Sequence, residues 1–233
     1  MKRATPLLAV LCAALLLAPA AAVTPSPAAP QAEGERFVYA DFESAEGKRA
    51  VSRRGGLVQL TSYQETTPSR FKGLADANPA APELVRLKPD DPNHAAAFDY
   101  ELYSPNQYAG VALEVQGQPA KDGKPAPDDL SAYKHVSMQI YATGVPSLRL
   151  ELISRGQGIN LPGGFPQATF KIKPGFNTYR IALSSLKQPQ WAAERVGAGD
   201  VLKRLTAVSL TAYCERCAPV KGTVVVDNIV FEK

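Results

Sequence analysis

From residue 95 onward the chain alternates. In Ala95-Ala-Ala-Phe-Asp-Tyr-Glu-Leu-Tyr103, Ala96, Phe98, Tyr100 and Leu102 fall on one side, with Asp99, Glu101 and Tyr103 on the other. Tyr108 to Gln116 repeats the pattern with Ala109, Val111, Leu113 and Val115 inward, and His135 to Thr143 with Val136, Met138, Ile140 and Ala142 inward. Leu148, Leu150 and Leu152 alternate with Arg149 and Glu151. Tyr179, Ile181 and Leu183 follow, then Thr206, Val208, Leu210 and Ala212, then Val225, Ile229 and Phe231. A period of two with one apolar face marks half-buried antiparallel strands. Ser104-Pro-Asn106, Gly144-Val-Pro146, Leu161-Pro-Gly-Gly164 and Lys173-Pro-Gly175 supply turns between them. Leu57–Leu60 predicts one more strand, Thr61–Pro92 a long irregular excursion, and Trp191–Leu202 a short helix. Many short strands and no internal repeat predict an all-β fold: a two-sheet antiparallel jelly-roll β-sandwich around one core.

The first residues predict the compartment. Met1-Lys2-Arg3, an apolar stretch from Leu7 to Leu17 and small residues at Ala20-Ala21-Ala22 have the layout of a secretory signal peptide, residues 1–22. The apolar run is shorter than the roughly 20 residues of a membrane span. Residues 23–35 are rich in proline and alanine and read as an extended linker, leaving 36–233 as one jelly-roll domain. The expected location is secreted or periplasmic. Removing Lys2 and Arg3 and no acid takes the formal charge from +4 to +2, too balanced to imply a nucleic-acid partner. No later segment reads as transmembrane. Cys214 and Cys217 survive cleavage, and in an oxidising compartment their C-x-x-C spacing predicts a local disulfide across a loop, worth at most roughly 2 kcal/mol. With His94 and His135 the only histidines, little remains for zinc.

Four segments, in order, resemble the galactose-binding-like jelly rolls, which include carbohydrate-binding modules and CIA30-type domains. Asp41-Phe42-Glu43 is similar to their opening Asp-Phe-Glu, and Asp129-Leu-Ser-Ala-Tyr-Lys-His-Val136 to the entry of a central strand. Phe176-Asn-Thr-Tyr-Arg-Ile-Ala-Leu183 resembles a strand that usually begins with tryptophan, and Val226-Asp-Asn-Ile-Val-Phe231 the closing strand. The match spans roughly Phe37 to Phe231. Phe176 in place of the tryptophan, the Thr61–Pro92 excursion and the Cys214–Cys217 loop depart from the pattern. The resemblance implies that the first and last strands meet. It also implies a structural calcium ion there, with Glu43 and Asp227 as side-chain ligands, Asp41 as a further candidate, and carbonyl oxygens completing a shell of about 6–8. The alternative is that Asp227 and Asn228 cap backbone groups without metal.

Sugar-binding faces combine aromatic rings for stacking with amides, carboxylates and arginine for hydroxyls. The outward positions include Asp99, Glu101, Tyr103, Tyr108, His135, Gln139, Tyr141, Arg149 and Glu151. Tyr103 and Tyr108 flank one turn and are expected to sit together, and Arg149 and Glu151 share one strand face. The expected ligand set is Asp99, Tyr103, Tyr108, Arg149, Glu151 and Trp191. Two alternatives stay open: a solvated face with cross-strand ion pairs, and Trp191, the only tryptophan, packed under the following helical segment, which is the ordinary expectation for it. Phe176 and Tyr179 are expected to pack in the core or at its edge. Asp99 and Glu101 neighbour each other on one face and do not flank a bond as a glycosidase pair does. The sequence has no G-x-S-x-G elbow and no metal-binding histidine pair. The expected function is therefore non-catalytic recognition of a poly- or oligosaccharide. The alternatives are an envelope assembly factor with a protein partner and, further off, a glycoside hydrolase or polysaccharide lyase.

Overall fold

Strand β1 (Arg36–Ala40) lies antiparallel to the last strand, β13 (Val220–Glu232), pairing Phe37 with Phe231 and Val38 with Val230. The ends of the domain therefore meet, as the sequence predicts. The structure, a computed structural model, describes residues 35–42, 50–51, 57–64, 70–72, 84–86, 93–116, 127, 129–155, 164–216 and 219–233. The segment expected to be a signal peptide, most of the expected linker, Glu43 and Cys217 lie outside these residues.

Between β1 and β13 run β2 (Ala50–Val51), β3 (Leu57–Gln64), β4 (Arg70–Lys72), β5 (Leu84–Arg86), β6 (His94–Leu102), β7 (Tyr108–Gln116), β8 (His135–Ala142), β9 (Ser147–Ile153), β10 (Gln167–Lys171), β11 (Asn177–Ala182) and β12 (Ala207–Tyr213). The first sheet has the order β11-β8-β13-β6-β4, with β1 beside β13 and β5 beside β6. The second has the order β10-β9-β12-β7-β3-β2. The pairings are antiparallel, which gives the two-sheet jelly-roll sandwich. The helical segment expected near Trp191–Leu202 is α1 (Ala198–Leu202), which buries Val201 and Leu202.

The inward residues of β6, β7, β8, β9 and β12 fill one core: Phe98, Tyr100, Val111, Leu113, Met138, Ile140, Leu150 and Leu210 are all buried. Each such large side chain contributes roughly 1.5–3 kcal/mol relative to exposure. Tyr39 crosses from the first sheet to the second, its hydroxyl donating to the Leu113 carbonyl at 2.6 Å. Its ring meets Phe231 edge-on at 5.9 Å, and Phe231 in turn meets Tyr133 at 6.4 Å. Phe37 reaches Tyr133 at 6.1 Å. Aromatic residues close to the first, second and fourth recognisable segments thus form one cluster at the closure.

Three sequence expectations need correction. Thr61–Pro92 is not wholly irregular: β3 continues to Gln64, and β4 and β5 pair with β6. Short strands among prolines and alanines carry too little alternation to stand out. Val225 points away from the core, whereas Val224 and Val226 are buried. A bulge between Asp227 and Val230 adds a residue and resets the parity, so Ile229 and Phe231 are inward as expected. Phe176 is exposed in the turn before β11, while Tyr179 is buried.

Candidate functional site

The registers of the second sheet line up two rows across its strands. One runs Tyr63–Gly110–Thr211–Arg149–Thr169 and the next Thr61–Ala112–Ser209–Glu151–Gln167. Because Val208, Leu210, Leu148, Leu150 and Leu152 fill the core, the side chains of Ser209, Thr211, Arg149 and Glu151 stand on the opposite face. Gly110, Ala112, Ser209 and Thr211 make a row of small, buried residues through the middle of that face, with Ser209 and Thr211 fully covered. Tyr213 continues it at one end, directly paired with Tyr108. The Tyr213 hydroxyl donates to Asn106 Oδ1 at 2.9 Å. The Arg149 guanidinium lies over the Tyr213 ring, 5.7 Å from its centroid. Tyr108, Tyr213, Arg149 and Glu151 therefore border one surface.

Its electrostatics are uneven. Arg149 is half-buried and its Nε is fully covered without a hydrogen-bond partner, while Glu151, two residues along the same strand face, attracts it electrostatically. Glu151 Oε1 accepts the Phe165 N–H at 3.1 Å. Burial pushes the Glu151 pKa up, against the opposing pull of Arg149, the Phe165 N–H and Arg155.

Trp191 stands at the far end of this sheet, beyond β10, where Lys187 bridges to Gln167. It is 71 % exposed, contrary to the expectation that it packs under the helical segment. Its ring edge lies against Gly164, where a Cβ would come within 3.0 Å. The neighbouring residue, Phe165, is the one held by Glu151. The segment that carries Trp191 is pinned. Gln188 Nε2 donates to the Gly164 and Glu194 carbonyls at 3.0 and 3.1 Å, and Gln188 Oε1 accepts the Val196 N–H at 2.7 Å. Arg195 donates to the Pro189 and Gln190 carbonyls, both at 3.2 Å. A cleft of about 370 Å³ bordered by Pro166, Lys187, Gln188 and Arg195 adjoins it.

Asp99 and Tyr103 are elsewhere. They lie on or just beyond β6 in the first sheet, whereas Tyr108 begins β7 in the second, across the turn closed by the Gln107 N–H on the Ser104 carbonyl. Around Asp99 the first sheet has a cross-strand polar network. Thr223 Oγ1 donates to Asp99 at 2.6 Å, Lys221 pairs with Glu101 at 2.9 Å, and the Tyr103 hydroxyl donates to Glu101. Tyr213, by contrast, escaped the ligand set although its position was readable: inward Val208, Leu210 and Ala212 place it outward.

At the closure, Asp227 is fully buried in the β13 bulge. Its Oδ1 accepts the Asn228 N–H at 2.7 Å, and its Oδ2 accepts from Asn93 Nδ2 at 3.0 Å and Asn228 Nδ2 at 2.9 Å. Asn228 sits at φ 49°, a left-handed conformation that asparagine tolerates. Asp41 is half-exposed just after β1. Among the described residues, no group of three or more His, Cys, Asp or Glu side chains is placed to hold a metal. No described helix is long and apolar enough to cross a membrane.

No family model matches the chain, and no curated protein does. Solved structures do. The family 11 carbohydrate-binding module of the cellulosomal cellulase Lic26A-Cel5E of Clostridium thermocellum aligns over 84% of this chain and 94% of its own, with a TM-score of 0.53 and 14% identity. A family 11 carbohydrate-binding module from Clostridium thermocellum, in complex with a β-1,3-1,4-mixed-linked tetrasaccharide, aligns over 85% and 95%, with a TM-score of 0.54 and 15% identity. The fold is the galactose-binding-like jelly roll found in these carbohydrate-binding modules.

Proposed function

We propose that this is an exported, non-catalytic protein that binds a poly- or oligosaccharide on the outer face of the second sheet. Tyr108 and Tyr213 supply rings for stacking on sugar faces, Arg149 and Glu151 bond hydroxyls, and Trp191 is a platform at the loop edge. The observation that carries the reading is the paired Tyr108–Tyr213 end beside Arg149, along a row of small, buried residues. Asp99 and Tyr103 take a structural role in this reading, because their polar atoms already serve the network around Lys221 and Thr223. The test is a glycan array with affinity electrophoresis on several polysaccharides. Retardation that is lost in Tyr213→Ala supports the reading. Blank results from folded protein overturn it and leave the envelope-partner alternative, which a stoichiometric pull-down from envelope extract would establish.

Two accessory features belong to the proposal. A Cys214–Cys217 link is supported by the disulfide-bonded state of buried Cys214. A structural calcium ion at Asp41, Glu43 and Asp227 is supported by the buried carboxylate at the closure. Oδ2 of Asp227 already accepts from the side-chain amides of Asn93 and Asn228, so a cation there would have to displace them. A melting temperature unmoved by chelator and by added calcium would remove the ion from the proposal.

A further inference from the structure

We infer that the saccharide taken by the second sheet's outer face is anionic, bearing carboxylate or sulfate groups, and that Arg149 receives the charge. This rests on the carbohydrate-binding reading and adds the substrate class. Arg149 is held, half-buried, between its strand and the Tyr213 ring, with a covered Nε that has no acceptor. A guanidinium N–H removed from water without an acceptor is unfavourable, and an anion arriving in its plane would relieve that. Its planar fork of donors matches the paired oxygens of carboxylate or sulfate.

Apart from Glu151, the charges flanking it on this edge of the sheet are basic. Lys171 on β10 is exposed at the register position opposite Ser147, two residues from Arg149 on the same face. Lys187 is exposed at its bridge to Gln167, in line with Glu151. Glu151 is the single carboxylate on β9, β10 and β12. Its Oε1 is already engaged by the Phe165 N–H. A neutral glycan would satisfy the tyrosines and leave these cations idle. A uronate or sulfated chain uses both.

The experiment measures affinity of the purified protein for two matched pairs: polygalacturonate with its methyl ester, and dextran sulfate with dextran. A mixed-linkage β-glucan serves as a neutral reference. The charged member of at least one pair should bind about tenfold tighter or better, as charge-assisted bonding implies, and salt should weaken it. Arg149→Gln should bring that polymer to the level of its neutral counterpart, and Arg149→Lys should recover part of the difference. The pair that discriminates tells carboxylate from sulfate. Equal affinity within both pairs overturns the inference while the β-glucan still reports on carbohydrate binding. A difference that survives Arg149→Gln reflects general attraction to a basic chain and also overturns it. No retention on any polymer overturns the carbohydrate reading and the inference together. Lys171→Gln with Lys187→Gln is the second variant set, on exposed positions whose replacement keeps the core intact, and it should flatten the salt dependence.

Discussion

Tyr100 shows what a single polar atom does in this core. Its hydroxyl donates to the Thr143 carbonyl at 2.6 Å and accepts the Val145 N–H at 2.9 Å, tying β6 to the turn after β8. Gly144 (φ 89°) and Gly222 border the hydroxyl so closely that a Cβ on either would overlap it. Tyr100→Phe is expected to cost about 1–3 kcal/mol in urea denaturation, because both backbone partners lose their bond in a buried place. Burial raises the Tyr100 pKa to about 12 from 10.0. The folded state holds this proton more tightly, so the contribution is complete below pH 10.0 and declines as pH rises through about 12. Phenylalanine should abolish that alkaline decline, and denaturation at pH 8 and pH 11 reads it. Glu151 has the same sign at lower pH. Its folded pKa lies above the ordinary 4.5, so its contribution is fully present below 4.5 and is lost as pH rises through the raised value. Glu151→Gln should remove that slope, and a chemical-denaturation series across the acidic range checks it.

At the scale of elements, the closing strand decides most. β13 pairs with β8 along one edge and with β6 and then β1 along the other, and the bulge at Asp227 lies where the partner changes. Asp227 is the hub, since donors from Asn93 and Asn228 converge on its carboxylate. Asp227→Ala leaves them unmet in a buried place and is expected to cost about 3 kcal/mol in thermal or urea unfolding. Asp227→Asn keeps one acceptor oxygen and should recover part of it. The meeting of β1 and β13 was legible because both ends carry recognisable segments, Asp41-Phe-Glu43 and Val226-Asp-Asn-Ile-Val-Phe231. The inward face of Val225 was misread because a bulge changes parity without changing composition. β10 went unnoticed because Gln-Ala-Thr-Phe-Lys is a half-exposed edge strand, with only Ala168 and Phe170 turned to the core. The candidate site was half legible. Arg149 and Glu151 follow from alternation within one strand, but no local pattern reveals that β6 and β7 belong to different sheets.

At the scale of the whole molecule, Tyr108 and Tyr213 mark the place where β7 meets β12 in the second sheet, and Trp191 stands beyond its edge strand β10. Trp191 is the only tryptophan and is 71 % exposed, so its fluorescence reports one place on the protein. Hydrogen bonds from Gln188 and Arg195 hold its loop, so little ordering entropy is lost when a ring docks there. Trp191→Ala removes a side chain that is largely exposed. Its unfolding midpoint should stay within about 0.5 kcal/mol of the parent, while saccharide affinity should fall by about 1 kcal/mol or more if a sugar stacks on it. In the parent protein, titration with a bound saccharide should shift the emission to the blue as water leaves the indole. Full affinity in Trp191→Ala, with emission unmoved at saturation, would confine the ligand to the Tyr108–Tyr213–Arg149 surface. A stability loss well above that bound would instead make Trp191 a packing residue despite its exposure.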